Sequence, residues 1–355
     1  MSRFLSAKYA DLIPYVPGEQ PRDTKYVKLN TNESPFPPSP KVQLAVEREA
    51  KRLNLYCDPE CTELKAAAAK LYGVRPEQVL PVNGSDEILY FSFLAFGDEG
   101  RLFAFPDISY GFYPVYAAFC RIPKREIPLS PDLSVDYRDY LDLDATILLA
   151  NPNAPTGTCL PVAQIERIVC ANPNRFVMID EAYIDFGGES CVPLIARYDN
   201  LLVFQTFSKS RSLAGARLGF GIGSEALIRD LNTVKYSMNP YNVNRMTQAA
   251  GVAAIEDDAY YRANARMIIQ TREQTARRLR NLGFTVLPSK ANFLFAGSDR
   301  IGGEAFYREL KARGVLVRHF TKERIQDFCR ITIGTNEQME ILLTHTEAIL
   351  NGKGC

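Results

Sequence analysis

One pattern recurs between residues 79 and 205, and it limits the possible folds of this chain more than any other feature. Short apolar runs alternate with turns and helix-like segments; the runs lie at 79–83, 101–105, 145–150, 176–180 and 201–205. Such alternation predicts an α/β fold with a mostly parallel central sheet covered by helices on both faces. Ligands bind these sheets at the carboxyl ends of the strands, so polar residues there are the first candidates for a site.

The regions on either side of this pattern predict additional units. Residues 1–40 are rich in Pro, Asn and Glu and are expected to run extended, with helices following at 40–53 and 62–72. A long helical stretch at 241–282 precedes a set of short strands and helices, at 284–287, 292–296, 304–313, 315–318, 328–333 and 337–350. We therefore expect an N-terminal segment (1–36) packed with the small domain, a large domain (37–281) and a smaller α+β C-terminal domain (282–355).

Composition excludes several classes of partner. The chain has 42 basic and 41 acidic residues, so no overall charge favours nucleic acid or a membrane surface. No apolar run reaches the roughly 18 residues of a membrane span, and the first residues are too polar for a signal peptide, so a cytoplasmic location is expected. Eight cysteines without a C-x-x-C pair and only two histidines give no pattern for a metal site.

The segment TFSKSRSLAGARLGF at 206–220 carries the first candidate chemistry. Lys209 follows the apolar run at 201–205, and Arg217 precedes a Gly-rich apolar run. The lysine amine could form a Schiff base with an aldehyde, and the guanidinium with nearby Ser hydroxyls could hold a phosphate. Pyridoxal phosphate requires both groups, although a solvated surface lysine or a small nucleic-acid patch would also fit these residues taken alone.

Other strand ends offer the further groups that pyridoxal phosphate needs. Asp180 ends a buried run and could pair with the pyridine nitrogen, or it could simply cap the following turn. Tyr183 and an Asn of NPNAPTG at 151–157 could donate to the ring's phenolate oxygen, although the second motif is also an ordinary turn.

Two more segments complete this set of candidates. Gly84, Ser85 and Asp86 open a predicted helix whose N-terminus could bind the phosphate, or they could form a simple N-cap. Tyr110, at the start of another helix, could stack on the pyridine ring or pack in the core.

Several motifs in this order make the chain resemble the histidinol-phosphate aminotransferases, a family of fold-type I pyridoxal-phosphate enzymes. The motifs are LNTNESP at 29–35, NGSDE at 83–87, NPNAPTG at 151–157, DEAY at 180–183, the lysine segment, VRHF at 317–320 and RITIGT at 330–335. They cover nearly the whole chain. Two positions depart from the common pattern of the family: Ala154, where many relatives have Asn, and Cys57, where proline is common.

The resemblance implies a role for each matching residue. Lys209 and Asp180 would be catalytic, Lys209 by carrying the cofactor and Asp180 by pairing with its ring nitrogen. The other expected cofactor contacts are Asn153 and Tyr183 at the phenolate oxygen, Tyr110 on the ring, and Gly84, Ser85, Asp86, Ser208 and Arg217 around the phosphate. The expected substrate contacts are Tyr15, Tyr56, Arg318 and Arg330.

The resemblance also implies a reaction and an assembly. The enzyme would move an amino group between L-histidinol phosphate and 2-oxoglutarate by a ping-pong transamination in histidine biosynthesis, giving imidazole acetol phosphate and L-glutamate. It would act as a homodimer in which Tyr56 reaches the partner's site. An aminotransferase for aromatic or other amino acids, a threonine-phosphate decarboxylase and a non-catalytic binding protein remain as alternatives.

Overall fold

The computed structural model describes residues 2–21 and 25–352. The helices of this part are α1 (Pro40–Ala50), α2 (Thr62–Tyr72), α3 (Ser85–Phe96), α4 (Phe112–Cys120), α5 (Val162–Ala171), α6 (Glu225–Met238), α7 (Arg245–Glu256), α8 (Asp258–Asn281), α9 (Gly303–Ala312) and α10 (Asn336–Leu350). Local signals set several of their ends. For example, α2 ends at Gly73 in a left-handed conformation, and a capping box of Thr335 and Gln338 begins α10.

The strands of the same residues fall into three sheets. They are β1 (Val27–Lys28), β2 (Val79–Val82), β3 (Phe103–Pro106), β4 (Lys124–Ile127), β5 (Thr146–Ala150), β6 (Val177–Asp180), β7 (Leu201–Thr206), β8 (Gly219–Gly223), β9 (Thr285–Val286), β10 (Phe293–Gly297), β11 (Val315–Leu316), β12 (Arg318–His319) and β13 (Phe328–Thr332).

The largest sheet has seven strands in the order β2-β8-β7-β6-β5-β3-β4. Strand β8 runs antiparallel to both of its neighbours, and the other adjacent pairs are parallel. The predicted mostly parallel sheet is therefore confirmed. Because β8 runs the opposite way, its amino end lies at the carboxyl ends of β2 and β7. This brings Arg217, just before β8, to the same edge of the sheet as Lys209.

The C-terminal part of the chain forms a smaller antiparallel sheet in the order β12-β13-β10-β9, as the α+β pattern predicted. A separate two-stranded parallel sheet pairs Val27 with Val315 and Lys28 with Leu316. The prediction of one strand at 315–318 was wrong, because the chain leaves the β1 pairing at Val317 and then joins β13. The small sheet carries Arg318 and Arg330 directly opposite each other.

Buried side chains form separate clusters in the two parts of the chain. The central sheet packs against helices on both faces, with strands β2, β3, β5, β6 and β7 buried at every residue. Helix α8 contributes Tyr261, near its start, to a cluster of the central sheet, and Ile268, Ala276 and Leu279 to the cluster around the small sheet. The long helix therefore has contacts in both units, and the domain division expected above stays a proposal.

Some elements differ from the sequence prediction. The helix expected at 40–53 ends at Ala50, and the helical stretch at 241–282 is two helices separated near Asp257. Strand β4 and helix α6 were missed. β4 is an edge strand with three exposed residues, and the buried positions of α6 include a lysine, Lys235, so neither shows a clear apolar pattern.

Residues 2–21 and 25–352 contain neither a candidate membrane span nor a metal-binding cluster. No helix there combines the length and the apolar character needed to cross a bilayer. No group of three or more His, Cys, Asp or Glu side chains in the same residues is placed to hold a metal ion.

Candidate active site

Two adjoining cavities lie at the carboxyl edge of the central sheet. The smaller, of about 180 Å³, is lined by Asp180, Ser208 and Arg217 among others. The larger, of about 410 Å³, is lined by Tyr15, Arg318 and Arg330. Lys209, Tyr110 and Tyr183 line both, together with Thr31 and Ala154. The structure thus brings most of the predicted residues into one continuous space, with Lys209 between its two parts.

The amine of Lys209 has few partners. Its Nζ donates one long hydrogen bond, of 3.4 Å, to the carbonyl oxygen of Thr31 and lies 5.8 Å from the centre of the Tyr183 ring. Burial lowers the pKa of this amine to about 8, and the nearby Arg330 guanidinium acts in the same direction. As the pH rises through that value the amine becomes neutral, which is the form that attacks a carbonyl carbon.

Asp180 ends strand β6 and is 5% exposed. Its Oδ2 accepts a hydrogen bond of 2.9 Å from the Tyr113 hydroxyl, and its Oδ1 accepts one of 3.0 Å from the backbone N–H of Ala182. Burial raises the pKa of the carboxyl group to about 6, although both hydrogen bonds oppose that rise. A cationic ring N–H placed beside this carboxylate would favour its charged form.

A second group of residues surrounds the N-terminus of α3. Arg217 Nη1 donates to Ser208 Oγ at 3.3 Å, and its Nη2 forms an ion pair with Asp86 Oδ2 at 3.2 Å. The first turn of α3, beginning at Ser85, has backbone N–H groups without helical partners, and they favour an anion. Guanidinium, hydroxyl and N–H donors therefore converge as phosphate oxygens require.

Gly84 allows the chain to make this arrangement. Its φ of 77° and ψ of 157° lie in a region that other residues rarely adopt. A Cβ added at Gly84 would lie 2.5 Å from Arg217 Nη2. The position is therefore closed to any side chain unless Arg217 moves.

We expect Gly84→Ala to weaken the binding of pyridoxal phosphate by about tenfold or more. Backbone strain of about 1–3 kcal/mol and the displacement of Arg217 act together. Titration of the apoenzyme with the cofactor measures the effect. The matched control is Gly215→Ala in the loop that carries Arg217, where an added Cβ meets no atom within 4 Å. Equal affinities for the two variants would contradict this reading of Gly84.

The walls of the smaller cavity leave room for a flat ring. Tyr110 lines this cavity, and its hydroxyl donates a hydrogen bond of 2.9 Å to Asp86 Oδ1. The small residues Ala150, Ala154 and Ala182 form other parts of the lining. Tyr183 is 9% exposed, and its hydroxyl accepts a hydrogen bond of 2.9 Å from Asn32 Nδ2. The hydroxyl hydrogen of Tyr183 is thus still free to be donated.

The structure does not bring Asn153 into this space. Its amide nitrogen donates to the carbonyl oxygen of Ile108 and to Thr156 Oγ1, at 3.1 and 2.9 Å, and Asn153 is not among the residues that line either cavity. Ala154 lies there instead, and alanine has no side-chain donor. The expected contact of Asn153 with the phenolate oxygen therefore finds no support in its geometry, because both amide hydrogens are already donated, one to Ile108 and one to Thr156.

The larger cavity presents cations without carboxylate partners. Arg330 donates from Nη2 to the carbonyl oxygen of Asn30 at 3.0 Å, while its buried Nε has no hydrogen-bond partner among the described residues. Burial lowers the pKa of this guanidinium. Arg318 donates to the carbonyl oxygens of Val16 and Pro17. Neither arginine forms an ion pair with a carboxylate of the described residues, and a bound anion would supply one.

Tyr15 and Tyr56 occupy very different surroundings. Tyr15 lines the larger cavity, with its ring stacked on Phe112 at 4.1 Å. Tyr56 lies outside both cavities, is 80% exposed and stacks on Tyr241 at 4.6 Å. The structure therefore does not place Tyr56 at the site of its own chain.

Contacts between the end of β3 and the β12–β13 segment border the larger cavity. Asp107 follows strand β3; its carbonyl oxygen accepts a hydrogen bond of 2.6 Å from Lys322 Nζ, and its carboxylate pairs with Arg324 at 3.3 Å. Lys322 and Arg324 belong to the segment between β12 and β13. The cavity thus lies between the central sheet and the small antiparallel sheet.

Two residues of the site were missed in the sequence. Tyr113 lies three residues after Tyr110, one helical turn away, and this spacing could have suggested a second aromatic on the same face. Asn32 is in the LNTNESP motif, but only the fold brings it to Tyr183, 151 residues away along the chain.

The residues present fit pyridoxal phosphate on the chemistry of their donors. A partly neutral amine, a buried carboxylate and a phosphate-sized set of donors line one cavity of about 180 Å³. Gly84 has a positive φ, and Arg217 packs against the position that a Cβ would take. The phosphate-binding arrangement therefore requires glycine at this position.

Comparison with known proteins agrees with this geometry. A family model described as aminotransferase class I and II matches residues 24–345. A histidinol-phosphate aminotransferase of Brachyspira hyodysenteriae is 48% identical over 352 residues, covering 99% of each chain. Histidinol-phosphate aminotransferase 1 of Bradyrhizobium diazoefficiens is 51% identical over 338 residues, which cover 95% of this chain and 97% of the relative.

A solved structure supports the fold. The histidinol-phosphate aminotransferase of Sinorhizobium meliloti, crystallised in complex with pyridoxal-5'-phosphate, superposes with a TM-score of 0.85 at 24% identity, covering 92% of this chain and 91% of that one. At that identity the likeness establishes the architecture, while the full-length relatives at about half identity establish the family. The chain therefore belongs to the class I and II aminotransferases and, within them, to the histidinol-phosphate aminotransferase family.

Proposed function

We propose that this enzyme transfers the amino group between L-histidinol phosphate and 2-oxoglutarate, giving imidazole acetol phosphate and L-glutamate in histidine biosynthesis. One observation carries the proposal: the amine of Lys209 and the unpaired guanidinium of Arg330 line the same cavity of about 410 Å³. A substrate with an amine at one end and an anion at the other matches both groups. The names of the full-length relatives agree with this choice.

The cofactor of the family is pyridoxal phosphate, which when bound supplies an aldehyde that joins to amines and a ring that accepts the electron pair left at the substrate Cα. Lys209 Nζ would take the proton from that carbon and return it, as general base and acid. Asp180 would hold a proton on the ring nitrogen. Ser85, Ser208 and Arg217 would bind the phosphate, with the backbone N–H of Asp86.

The substrate's anion would bind to Arg318 and Arg330. A guanidinium donates in a planar fork that suits a carboxylate and also binds phosphate oxygens, so one pair of arginines serves histidinol phosphate and glutamate in turn. Tyr15, Pro17 and Gly18 of the N-terminal segment line the same cavity and would exclude water above the substrate.

The spectrum of a half-reaction tests the proposed substrate. The holoenzyme is mixed with histidinol phosphate, phenylalanine or threonine phosphate without an acceptor, and loss of the visible cofactor band is followed. We expect rapid loss with histidinol phosphate. Rapid loss with phenylalanine but none with histidinol phosphate would favour an aromatic aminotransferase, and release of carbon dioxide from threonine phosphate would favour the decarboxylase.

We also propose a homodimer in which Tyr56 completes the site of the partner. Tyr56 is stacked but fully outside its own cavities, and other exposed apolar side chains lie on the same chain segments, among them Leu53, Leu55, Met238 and Tyr241. Exposed apolar surface of this kind is typical of an interface. We further propose a cytoplasmic enzyme with domains at 1–36, 37–281 and 282–355, although residues 1, 22–24 and 353–355 lie outside the described part.

Mixing two defective chains tests the shared site. Tyr56→Ala and Lys209→Ala should each lower activity, while a mixed dimer has one cavity with both native residues. After subunit exchange, verified by native mass spectrometry, equal amounts should recover about a quarter of the native activity. The control mixes Lys209→Ala with Tyr260→Ala instead of Tyr56→Ala, because Tyr260 is a tyrosine outside both cavities. If verified mixed dimers gain no activity over the separate variants, Tyr56 does not serve the partner's site.

A further inference from the structure

Asn32 is a buried residue in the lining of the larger cavity, and the reaction above does not use it. It is 1% exposed and has a φ of 56°, which asparagine tolerates better than most residues. Its Nδ2 donates to the Tyr183 hydroxyl at 2.9 Å, and its Oδ1 accepts from Thr332 Oγ1 at 3.0 Å. Its backbone N–H donates to the same Oγ1, and its carbonyl oxygen accepts from Asn292 Nδ2. Every polar group of Asn32 is thus held in place.

These contacts determine which way the amide of Asn32 faces. Thr332 Oγ1 already accepts the backbone N–H of Asn32, and its single hydrogen goes to Asn32 Oδ1. The nitrogen end of the amide is therefore turned to Tyr183. Thr332 lies in β13, two residues beyond Arg330, so this orientation is set by the small domain.

The direction of the Asn32 hydrogen bond has a consequence for Tyr183. A tyrosine hydroxyl has one hydrogen to donate. Since its oxygen accepts from Asn32, that hydrogen is left for another acceptor, and no residue within 2–21 and 25–352 accepts it. Tyr183 lines both cavities, while Ala154 offers no donor and the amide of Asn153 is used elsewhere. The Tyr183 hydroxyl is the donor in place for a ring oxygen of the cofactor.

We propose that Asn32 is a positioning residue: by donating to the Tyr183 oxygen, it fixes the Tyr183 hydroxyl as a hydrogen-bond donor to the phenolate oxygen of pyridoxal phosphate. The inference rests on the cofactor contact proposed for Tyr183. A donor at that oxygen draws negative charge from it and weakens its hold on the proton of the neighbouring Lys209 nitrogen. Asn32 would thereby lower the pKa of the Lys209 nitrogen in the holoenzyme, which is measured as the pH at which the visible band changes.

Asn32→Asp tests the direction of the hydrogen bond with little change of shape. A carboxylate can only accept, so the Tyr183 hydrogen turns to residue 32 and leaves the cofactor; aspartate also tolerates the positive φ. The pKa obtained from a pH titration of the visible band should rise by about 1–2 units, the effect of a hydrogen bond to a charged group. Tyr183→Phe should give a similar rise.

Three further variants separate this effect from others. Asn32→Gly suits the same backbone, carries no charge and should give a smaller rise, which keeps the test available if Asn32→Asp does not fold. Thr332→Val removes the two hydrogen bonds that orient the Asn32 amide, so the pKa of the band should rise, although by less than with Asn32→Asp. In the Tyr183→Phe background, Asn32→Asp should add nothing, whereas an effect of its charge alone would be additive.

The outcomes distinguish the role of Asn32 from the Tyr183 contact on which it depends. A rise with Tyr183→Phe but none with either Asn32 variant, or additive rises in the double variant, would overturn the role of Asn32 and leave the Tyr183 contact standing. No rise with Tyr183→Phe would overturn the Tyr183 contact itself, and the inference with it.

Discussion

Replacing Lys209 with alanine is expected to remove the visible band of the bound cofactor and to lower kcat by at least about 10⁴-fold. The side chain provides both the covalent attachment and the proton transfer at the substrate Cα, and proton transfer alone contributes up to about 10⁴. Absorbance after incubation with pyridoxal phosphate and dialysis measures the first effect, and steady-state transamination the second. The cofactor can still bind through its phosphate, so titration should show weakened but measurable affinity.

A second lysine provides a matched control. Lys235 is 1% exposed, its pKa is lowered by burial, and its Nζ donates to the carbonyl oxygen of Pro59, away from both cavities. Lys235→Ala should keep the visible band at full intensity per folded chain, although its stability will fall. If the band survives in Lys209→Ala and is lost in another lysine variant, the assignment of Lys209 is wrong.

Arg330→Leu is expected to lower kcat/KM while leaving the apoenzyme as stable as the native chain to within about 1 kcal/mol. The guanidinium gives up only one hydrogen bond, to Asn30, and forms no ion pair with the described residues, so folding gains little from its charge. Loss of a charged partner for the substrate anion costs about 2–5 kcal/mol, or roughly 30- to 5000-fold in kcat/KM. Steady-state kinetics with histidinol phosphate and with glutamate measure the loss.

A buried arginine that does have an ion pair should behave in the opposite way. Arg211 pairs with Asp258 at 2.7 Å and donates to the carbonyl oxygen of Ala254. Arg211→Leu should lower the free energy of unfolding by about 3 kcal/mol, since it leaves a partly buried carboxylate without this partner. If Arg330→Leu destabilises the apoenzyme as strongly, or impairs only one of the two substrates, Arg330 is not their shared anion site.

The sequence was most informative where a charged residue stands at the end of a buried apolar strand. Asp180 and Lys209 lie at adjacent strand ends because β6 and β7 are parallel neighbours, and parallel order follows from the alternation of strands and helices. The position of Arg217 depends on the reversed direction of β8, which no local pattern shows. Its place in the segment after Lys209, before a Gly-rich apolar run, made it a candidate for the phosphate, and the topology explains why it reaches the same edge.

Contacts across large sequence separations were the main limit. The bonds from Asn32 to Tyr183 and Thr332 span 151 and 300 residues, so no spacing rule reveals them. Asn153 illustrates a second limit: its place in the motif does not show that its amide donates to Ile108 and Thr156. Helix α6 was missed because Lys235 occupies one of its buried positions, where a hydrophobic pattern would have been visible.

The lysine proposed to carry the cofactor and the arginines proposed to bind the substrate anion belong to different sheets: the lysine follows β7, and the arginines lie in β12 and β13. With these roles, reactivity and substrate choice would be separable properties of this molecule. Mutations confined to the small sheet would then change the substrate preference without changing Lys209 and the other cofactor contacts at the edge of the large sheet.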